Sequence, residues 1–394
     1  MADAGAPDMT TDAHPTDAGP SRDAATRDVD LTDVSSTPGI VVAIAVGWGT
    51  SCALFSSGQV ACWGMGLDGE LGNGQLSNSP SPVLVPGIDS ATAITHGAYT
   101  RCALLQSGQV TCWGDNGYGE LQAPASGPVS TPVIVPALTG AQAVSSGFEQ
   151  TCALLAGGDV TCWGNEDGPP YGASWPIGLP APADTIAVDI AYGSALLSDG
   201  TVACWGIDDE GELGNGTESF DPTMTATRVV GPSGVTAIAT GGKFTCALLS
   251  SGAVSCWGSD STGQLGSGPL LCNGGNGGSC SPLPLAVPGL TGVTAIAAGD
   301  VFACAVLSTG TVECWGDNVN GELGNGTTAA SFSPVPVSGL TDVVSISLGG
   351  YHACALTRSG QVYCWGEDSY GETGGPPATM CVAPCVTTPA LVPF

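Results

Sequence analysis

Positive charge is almost missing from this chain. Its 394 residues include 6 Lys and Arg against 35 Asp and Glu, a formal net charge of −29. The basic residues are Arg22, Arg27, Arg101, Arg228, Lys243 and Arg358. Phosphate contacts from Lys and Arg dominate nucleic-acid affinity, so DNA and RNA are excluded as partners, and anionic membranes should repel the chain. Charge of either sign is scarce, at 10% of residues. Much of the surface must therefore be Ser, Thr, Gly, Asn and Pro, a composition common in secreted proteins. Histidine is limited to His14, His96 and His352. Helical periodicity is absent, and neither a signal peptide nor a membrane-spanning segment is visible. Also absent are a nucleophile elbow, a phosphate-binding glycine loop and a metal-ligand helix. These absences imply a non-enzyme with no catalytic residue, no cofactor and no direct membrane insertion.

What the chain has instead is a repeat. Cys-Trp-Gly occurs around Trp63, Trp113, Trp163, Trp205, Trp257, Trp315 and Trp365, at spacings of 50, 50, 42, 52, 58 and 50 residues. A period of this length points to stacked or radial units. In the second unit, Cys102 to Leu105 and Gln109 to Trp113 are strand-length runs around Gln106-Ser107-Gly108. A three-residue loop ending in Gly is the mark of a β-hairpin. Gly58, Gly158, Gly200, Gly252, Gly310 and Gly360 repeat the device. A preceding run such as Thr92 to Thr95 reads as a third strand. A segment such as Pro82 to Pro86 reads as a fourth, whose prolines suit a sheet edge. Four short antiparallel strands, seven times over, predict an all-β fold, a seven-bladed β-propeller over 40–394. The first unit is read as lacking its outer strand, so Pro389 to Phe394 is expected to complete the first blade and lock the ring.

Each Trp-Gly is followed by a loop such as Trp315-Gly-Asp-Asn-Val-Asn-Gly-Glu-Leu-Gly-Asn-Gly326. With the preceding Ala-Leu-x-x-x-Gly-x-Val, this resembles the regulator of chromosome condensation repeat family, of a bacterial secreted or cell-envelope type. The resemblance covers 40–394 and implies the propeller. Members of that family include a nucleotide-exchange factor, a plant photoreceptor and a secreted β-lactamase inhibitor, so it implies no single function. The photoreceptor carries an array of tryptophans before its hairpins. Here Trp48 holds that place in one unit, and the others have Ala98, Phe148, Gly242, Asp300 and Gly350. Photoreception is therefore not expected.

Six units place two cysteines ten residues apart across the hairpin: Cys52 and Cys62, Cys102 and Cys112, Cys152 and Cys162, Cys246 and Cys256, Cys304 and Cys314, Cys354 and Cys364. Counted outward from the turn they fall opposite each other, at a spacing that suits a disulfide. Cys272 with Cys280, and Cys381 with Cys385, form two further pairs in inserted loops. In the fourth unit Ser194 replaces the first cysteine and leaves Cys204 as a free thiol. Buried reduced thiols are the alternative, since Cys also packs as a small hydrophobe. Metal binding fits poorly, because the hairpin spacing is not Cys-x-x-Cys and histidine is scarce. Residues 1–39 are rich in Asp, Ala, Thr and Pro and read as a disordered tether. An export or lipoprotein signal removed upstream of residue 1 would leave such a start. An extracellular or cell-envelope protein is expected, as a monomer with a lipid anchor as one option, and a cytoplasmic one less so.

Five carboxylates recur seven residues after Trp: Glu70, Glu120, Glu212, Glu322 and Glu372, with Gln264 in a sixth unit. Each is expected to bond its own loop backbone. Calcium is the alternative, although one Glu and a nearby Asp or Asn per loop is thin for an ion that takes six to eight oxygens. His96 and His352 hold non-equivalent positions and read as separate blade-edge residues. The irregular loops after Trp-Gly in units three, five and seven read as the binding rim. Its candidates are Tyr171 and Trp175 as exposed aromatics, with Leu270, Leu271, Asn273, Asn276, Met380 and Val382. The turns carrying Tyr99, Phe148 and Tyr351 are expected on the opposite rim. The function expected is a non-enzymatic module that binds a protein or glycan. A guanine-nucleotide exchange factor for a small GTPase, by family analogy, and an unrecognised hydrolase are the alternatives.

Overall fold

The computed structural model describes residues 38–122, 127–136, 138–148, 150–164, 173–268, 279–375 and 379–394. The segment expected to be a tether, 1–39, lies outside these residues up to 37. From Pro38 onward the chain forms seven antiparallel sheets, each made of strands consecutive in sequence. Blade 1 runs from its inner strand Val41–Val46 through Thr50–Phe55 and Val60–Gly64 to its outer strand Ser79–Leu84. Blade 7 uses Val343–Leu348, His352–Thr357, Val362–Glu367 and Pro384–Leu391, and adds the short strand Thr379–Met380. The hairpin turns form as their sequence requires. Gly58 has φ +84° and its N–H reaches the Phe55 carbonyl at 2.9 Å.

The hairpin register sets each cysteine pair directly opposite, Cys52 on Cys62 and Cys354 on Cys364. All six pairs lie at disulfide-bonding distance, with Cα atoms 4.0–4.1 Å apart. Cys381 and Cys385 pair as well, and Cys280 is disulfide-bonded. Cys272 lies outside the described residues. Ser194 stands opposite Cys204, which is buried and unbonded, and burial pushes its thiol well above the usual range. Alkylation of denatured, unreduced protein from an oxidising compartment should therefore label one thiol. Labelling of most cysteines would show that the staples do not form. Each short-loop staple contributes roughly 3 kcal/mol or less.

The Gly-Glu-Leu-Gly loops turn out to be the seals between blades. The indole N–H of Trp113 donates to the Glu70 carbonyl of the preceding blade at 2.9 Å. Trp163, Trp257, Trp315 and Trp365 repeat this on Glu120, Glu212, Gln264 and Glu322 at 2.6–3.0 Å. Leu71 is fully buried beneath the loop. Gly72, at φ +64°, lies so close to Trp113 that a Cβ there would stand 2.7 Å from the indole nitrogen. Trp205 is the exception. It follows the unit without this loop, and its N–H finds no partner among the described residues. Trp365→Phe should therefore cost about 1–2 kcal/mol by orphaning a buried carbonyl. Trp205→Phe should cost less, and paired thermal melts would show the difference.

Ring closure differs from the sequence expectation. Blade 1 has its own outer strand, and Pro384–Leu391 pairs with Val362–Glu367 in blade 7, Tyr363 opposite Leu391. The Pro-rich strand of each unit follows its own Trp-Gly loop, so blade 1 lacks nothing. The C-terminus still locks the ring, by packing. Val392 joins Val41, Ile44 and Trp63 of blade 1 in one core cluster with Val362 and Leu356 of blade 7. Phe394 meets Phe55 and Trp63 edge-on, with centroids 5.5 and 5.6 Å apart. Trp63 completes the circle with an indole bond to the Glu372 carbonyl at 2.9 Å.

Candidate functional site

The turns between inner and second strands and the loops after Trp-Gly lie at the same end of the propeller. The residue after Trp-Gly donates its N–H to the last residue of the turn: Asp115 to Tyr99, Asp317 to Val301 and Glu367 to Tyr351, at 2.8–3.0 Å. This corrects the sequence reading, which put Tyr99, Phe148 and Tyr351 on the far rim. The chain reverses direction at every strand, so the first and third connections of a blade must emerge together.

At this end the inner strands surround a central channel holding a cavity of ≈ 210 Å³, lined by Trp48, His96, Phe148, Asp189 and Asp300 among others. A ring of glycines forms its neck. A Cβ on Gly97 would stand 2.1 Å from the Gly147 carbonyl oxygen, and one on Gly349 would stand 1.9 Å from that of Gly47. Trp48, half-buried, packs on Tyr99 and Phe148 edge-to-face at 5.8 Å and on Tyr351 at 6.2 Å. Its indole N–H donates to Asp300 Oδ2. Burial and then the neighbouring Asp300 charge push the Asp189 carboxyl well above its usual range. Burial raises Asp300 as well, opposed by the Trp48 bond. Burial followed by nearby carboxylates, Glu70 for Tyr99 and Asp300 for Tyr351, raises both phenols.

A second cavity of ≈ 380 Å³ continues outward from Asp300 past Tyr351, Lys243, Asp209, Glu210 and Glu218. Lys243 Nζ pairs with Asp209 at 2.9 Å and Glu210 at 3.3 Å.

The other expected site residues fall differently. Trp175 is a core residue, 7% exposed, in the cluster with Ile177, Val188 and Trp205. It sits opposite Cys162 on the outer strand of blade 3, and strand alternation turns it inward with Ile177. Val382 is 81% exposed in the Cys381–Cys385 loop. Met380 lies on the strand Thr379–Met380. Tyr171, Leu270, Leu271, Asn273 and Asn276 lie outside the described residues.

The recurrent carboxylates fold back on their own loops. Glu70, Glu212, Glu322 and Glu372 each accept the backbone N–H two residues earlier at 2.6–2.9 Å, as do Glu120 and Gln264. Among the described residues no group of three or more His, Cys, Asp or Glu side chains could hold a metal ion. The buried loop carboxylates thus act as turn acceptors.

His352 is not at a blade edge. It is fully buried between blades 7 and 1, with Nε2 2.9 Å from Ser51 Oγ. Ser51 has one hydrogen to give, and when it goes to the Glu372 carbonyl at 3.0 Å, Nε2 is the donor to Ser51. That polarity is the reverse of a serine nucleophile facing its base, and neither group reaches solvent. Burial holds His96 and His352 down at about 3, reinforced at His96 by Arg101 and at His352 by His96 and Arg101. The two histidines and Arg101 therefore do converge in the interior. Arg101 donates to the Gly97 and Thr100 carbonyls at 2.9 Å.

The Regulator of chromosome condensation (RCC1) repeat description matches residues 41–70, 92–120, 235–264, 293–322 and 343–372, with a second match at 309–356. Five of the seven units are regulator of chromosome condensation repeats. A 124-residue stretch is 35% identical to the human E3 ubiquitin-protein ligase HERC2, covering 31% of this chain and 2% of the ligase. The fold matches Prp20p of Saccharomyces cerevisiae with a TM-score of 0.72 and 20% identity over 91% of this chain and 88% of that one. It also matches the ectodomain of the Physcomitrella patens receptor kinase CR4, at 0.53 and 23% identity over 83% and 74%. In these repeats the shared positions are seals and turns. The aromatic mouth and the Asp189–Asp300 pair stand where the seven units differ from one another. Trp48, Phe148 and Asp300 hold equivalent positions in their units, and closure of the ring brings them together across 252 positions of sequence.

Proposed function

We propose that this propeller is a non-enzymatic binding module of the cell surface or extracellular medium, taking a protein partner on the face around the channel mouth. The observation that carries the reading is the partly buried aromatic cluster of Trp48, Tyr99, Phe148 and Tyr351, set on a rigid, neck-sealed scaffold. Aromatic side chains in preorganised positions are the usual anchors of protein interfaces. The cysteine pairs at bonding distance favour an oxidising compartment. Prp20p is described by its binding to Gsp1p and histones, and the CR4 propeller is an ectodomain. Both support a binding role for the shared fold.

The test is affinity capture from the surface and medium of the source organism, followed by hydrogen-exchange mapping of the isolated complex. Protection should appear at 47–48, 97–99, 147–148 and 350–351. Protection confined to the hairpin turns near Gly58, Gly108 and Gly360 would move the interface to the other end. Recovery of a small GTPase whose nucleotide release is accelerated would favour the exchange reading instead.

A further inference from the structure

We infer that the channel mouth receives one cationic side chain, an arginine, projected by a basic segment of the partner protein. This rests on the binding reading above and names its chemistry. Charge is the first argument. Around the mouth stand Asp300 and Asp189 on the channel wall, Asp115, Asp317 and Glu367 beside the turns, and Asp209 in the adjoining groove. Among the four described Lys and Arg residues, Lys243 alone is solvent-accessible on this face, where Asp209 and Glu210 neutralise it, while the Arg101 guanidinium is buried beneath the glycine neck on the Gly97 carbonyl. Arg228 and Arg358 stand at the hairpin-turn end, Arg228 paired with Asp199 at 2.9 Å. An anionic ligand would meet the side chains of Asp115, Asp317 and Glu367 around the opening.

The aromatic cluster is the second argument. Trp48, Tyr99, Phe148 and Tyr351 are each half-buried, and edge-to-face packing leaves ring surface at the opening. The faces of such rings carry negative charge density that attracts a cation, most strongly a planar guanidinium on Trp. Asp300 uses one oxygen for the Trp48 indole, and an ionised carboxylate has further acceptor sites for a second donor. Metal is the poorer fit, since no three ligating side chains converge among the described residues. A free small amine would leave unused the ≈ 380 Å³ groove that leads outward from Asp300 past Glu210 and Glu218. An extended basic segment uses both.

The probe is a fluorescein-labelled octapeptide of alternating Arg and Gly, with matched Lys and Glu peptides, titrated into the full chain at about 150 mM salt to screen long-range attraction. The Arg peptide should bind most tightly, the Glu peptide not at all, and emission from the half-exposed Trp48 should change. Trp48→Leu, which alters no charge, should weaken binding about tenfold, within the range of a partly desolvated cation–π contact. Asp300→Asn should do the same, while Asp342→Asn at the far end should leave affinity within twofold. Melting curves check each fold, and Asp300→Asn carries the test should Trp48→Leu not fold. Equal affinity of wild type and Trp48→Leu, or no binding of the Arg peptide, would overturn the inference. A captured partner that protects this face without competing with the peptide would sink the arginine reading and leave the binding face standing. Absence of protection at this face in any captured complex would sink the binding reading itself.

Discussion

A chain truncated after Thr388 should melt about 6 °C below the full chain and aggregate on heating. The deletion strips Val392 from the cluster that joins blades 7 and 1, and Phe394 from its edge-on contacts with Phe55 and Trp63. It also removes the pairs Tyr363–Leu391 and Cys364–Ala390 and the Val392 N–H bond to Val362 at 2.9 Å. Burial of one valine, two aromatic contacts and a few net hydrogen bonds sum to about 4–5 kcal/mol. For a domain of this length that corresponds to about 6 °C. The edge uncovered at Tyr363 and Cys364 then invites pairing with another chain. Removing Phe394 alone, half-exposed as it is, should cost about 1 kcal/mol. A truncated chain that melts with the full one would show that the ring is closed without its C-terminus.

The repeat made much of this fold legible. Cys-Trp-Gly fixes the third strand, the Ser-Gly turn fixes the hairpin, and the cysteine spacing fixes the register, all local signals that need no long-range information. What stayed hidden depends on how strands alternate through the whole ring. The sequence before Val41 carries no Pro-rich strand and so points the C-terminal strand to blade 1, yet Ser79–Leu84 fills that place. Local motifs leave Tyr99 and Tyr351 on the far rim, and only connection parity, carried from strand to strand, brings them to the Trp-Gly end. Trp175 looked exposed inside an irregular loop, but two residues later Ile177 continues a strand whose inward face it shares. The channel mouth is least legible, since its members are drawn from six blades and none forms a motif by itself.

Stability should fall as pH rises from about 6.5 to 8, and replacing three glutamates with glutamine should remove most of that fall. Burial, then the neighbouring Asp209, pushes Glu212 up to about 8. Burial also raises Glu322 to about 7 and Glu372 to about 8, with Asp317 and Asp368 adding to it. A carboxyl whose folded pKa lies above its unfolded value binds more protons when folded, so stability is fully present below about 4.5 and lost as pH climbs to 7–8. His96 and His352, held down at about 3, act in the opposite sense: their contribution is complete above about 6.5 and lost as pH falls toward 3. Between 4.5 and 6.5 the two groups oppose each other, and above 6.5 the glutamates act without that opposition. Integrated from 6.5 to 8, they give at most about 4 kcal/mol, or about 5 °C. The loop accepts an amide, because Gln264 already takes the Thr262 N–H at 2.9 Å in the same position. In Glu322 the second carboxylate oxygen is buried without a partner, and Glu212 lies against the Asp209 carboxyl, which is where an ionised group costs most. The variant Glu212→Gln, Glu322→Gln, Glu372→Gln should therefore melt higher than wild type at pH 8 and close to it at pH 5. Asp189, raised in the same direction, should leave a small residual slope. A triple variant with the wild-type slope would show that the pH dependence comes from the general repulsion of a −29 chain and not from these three buried turns.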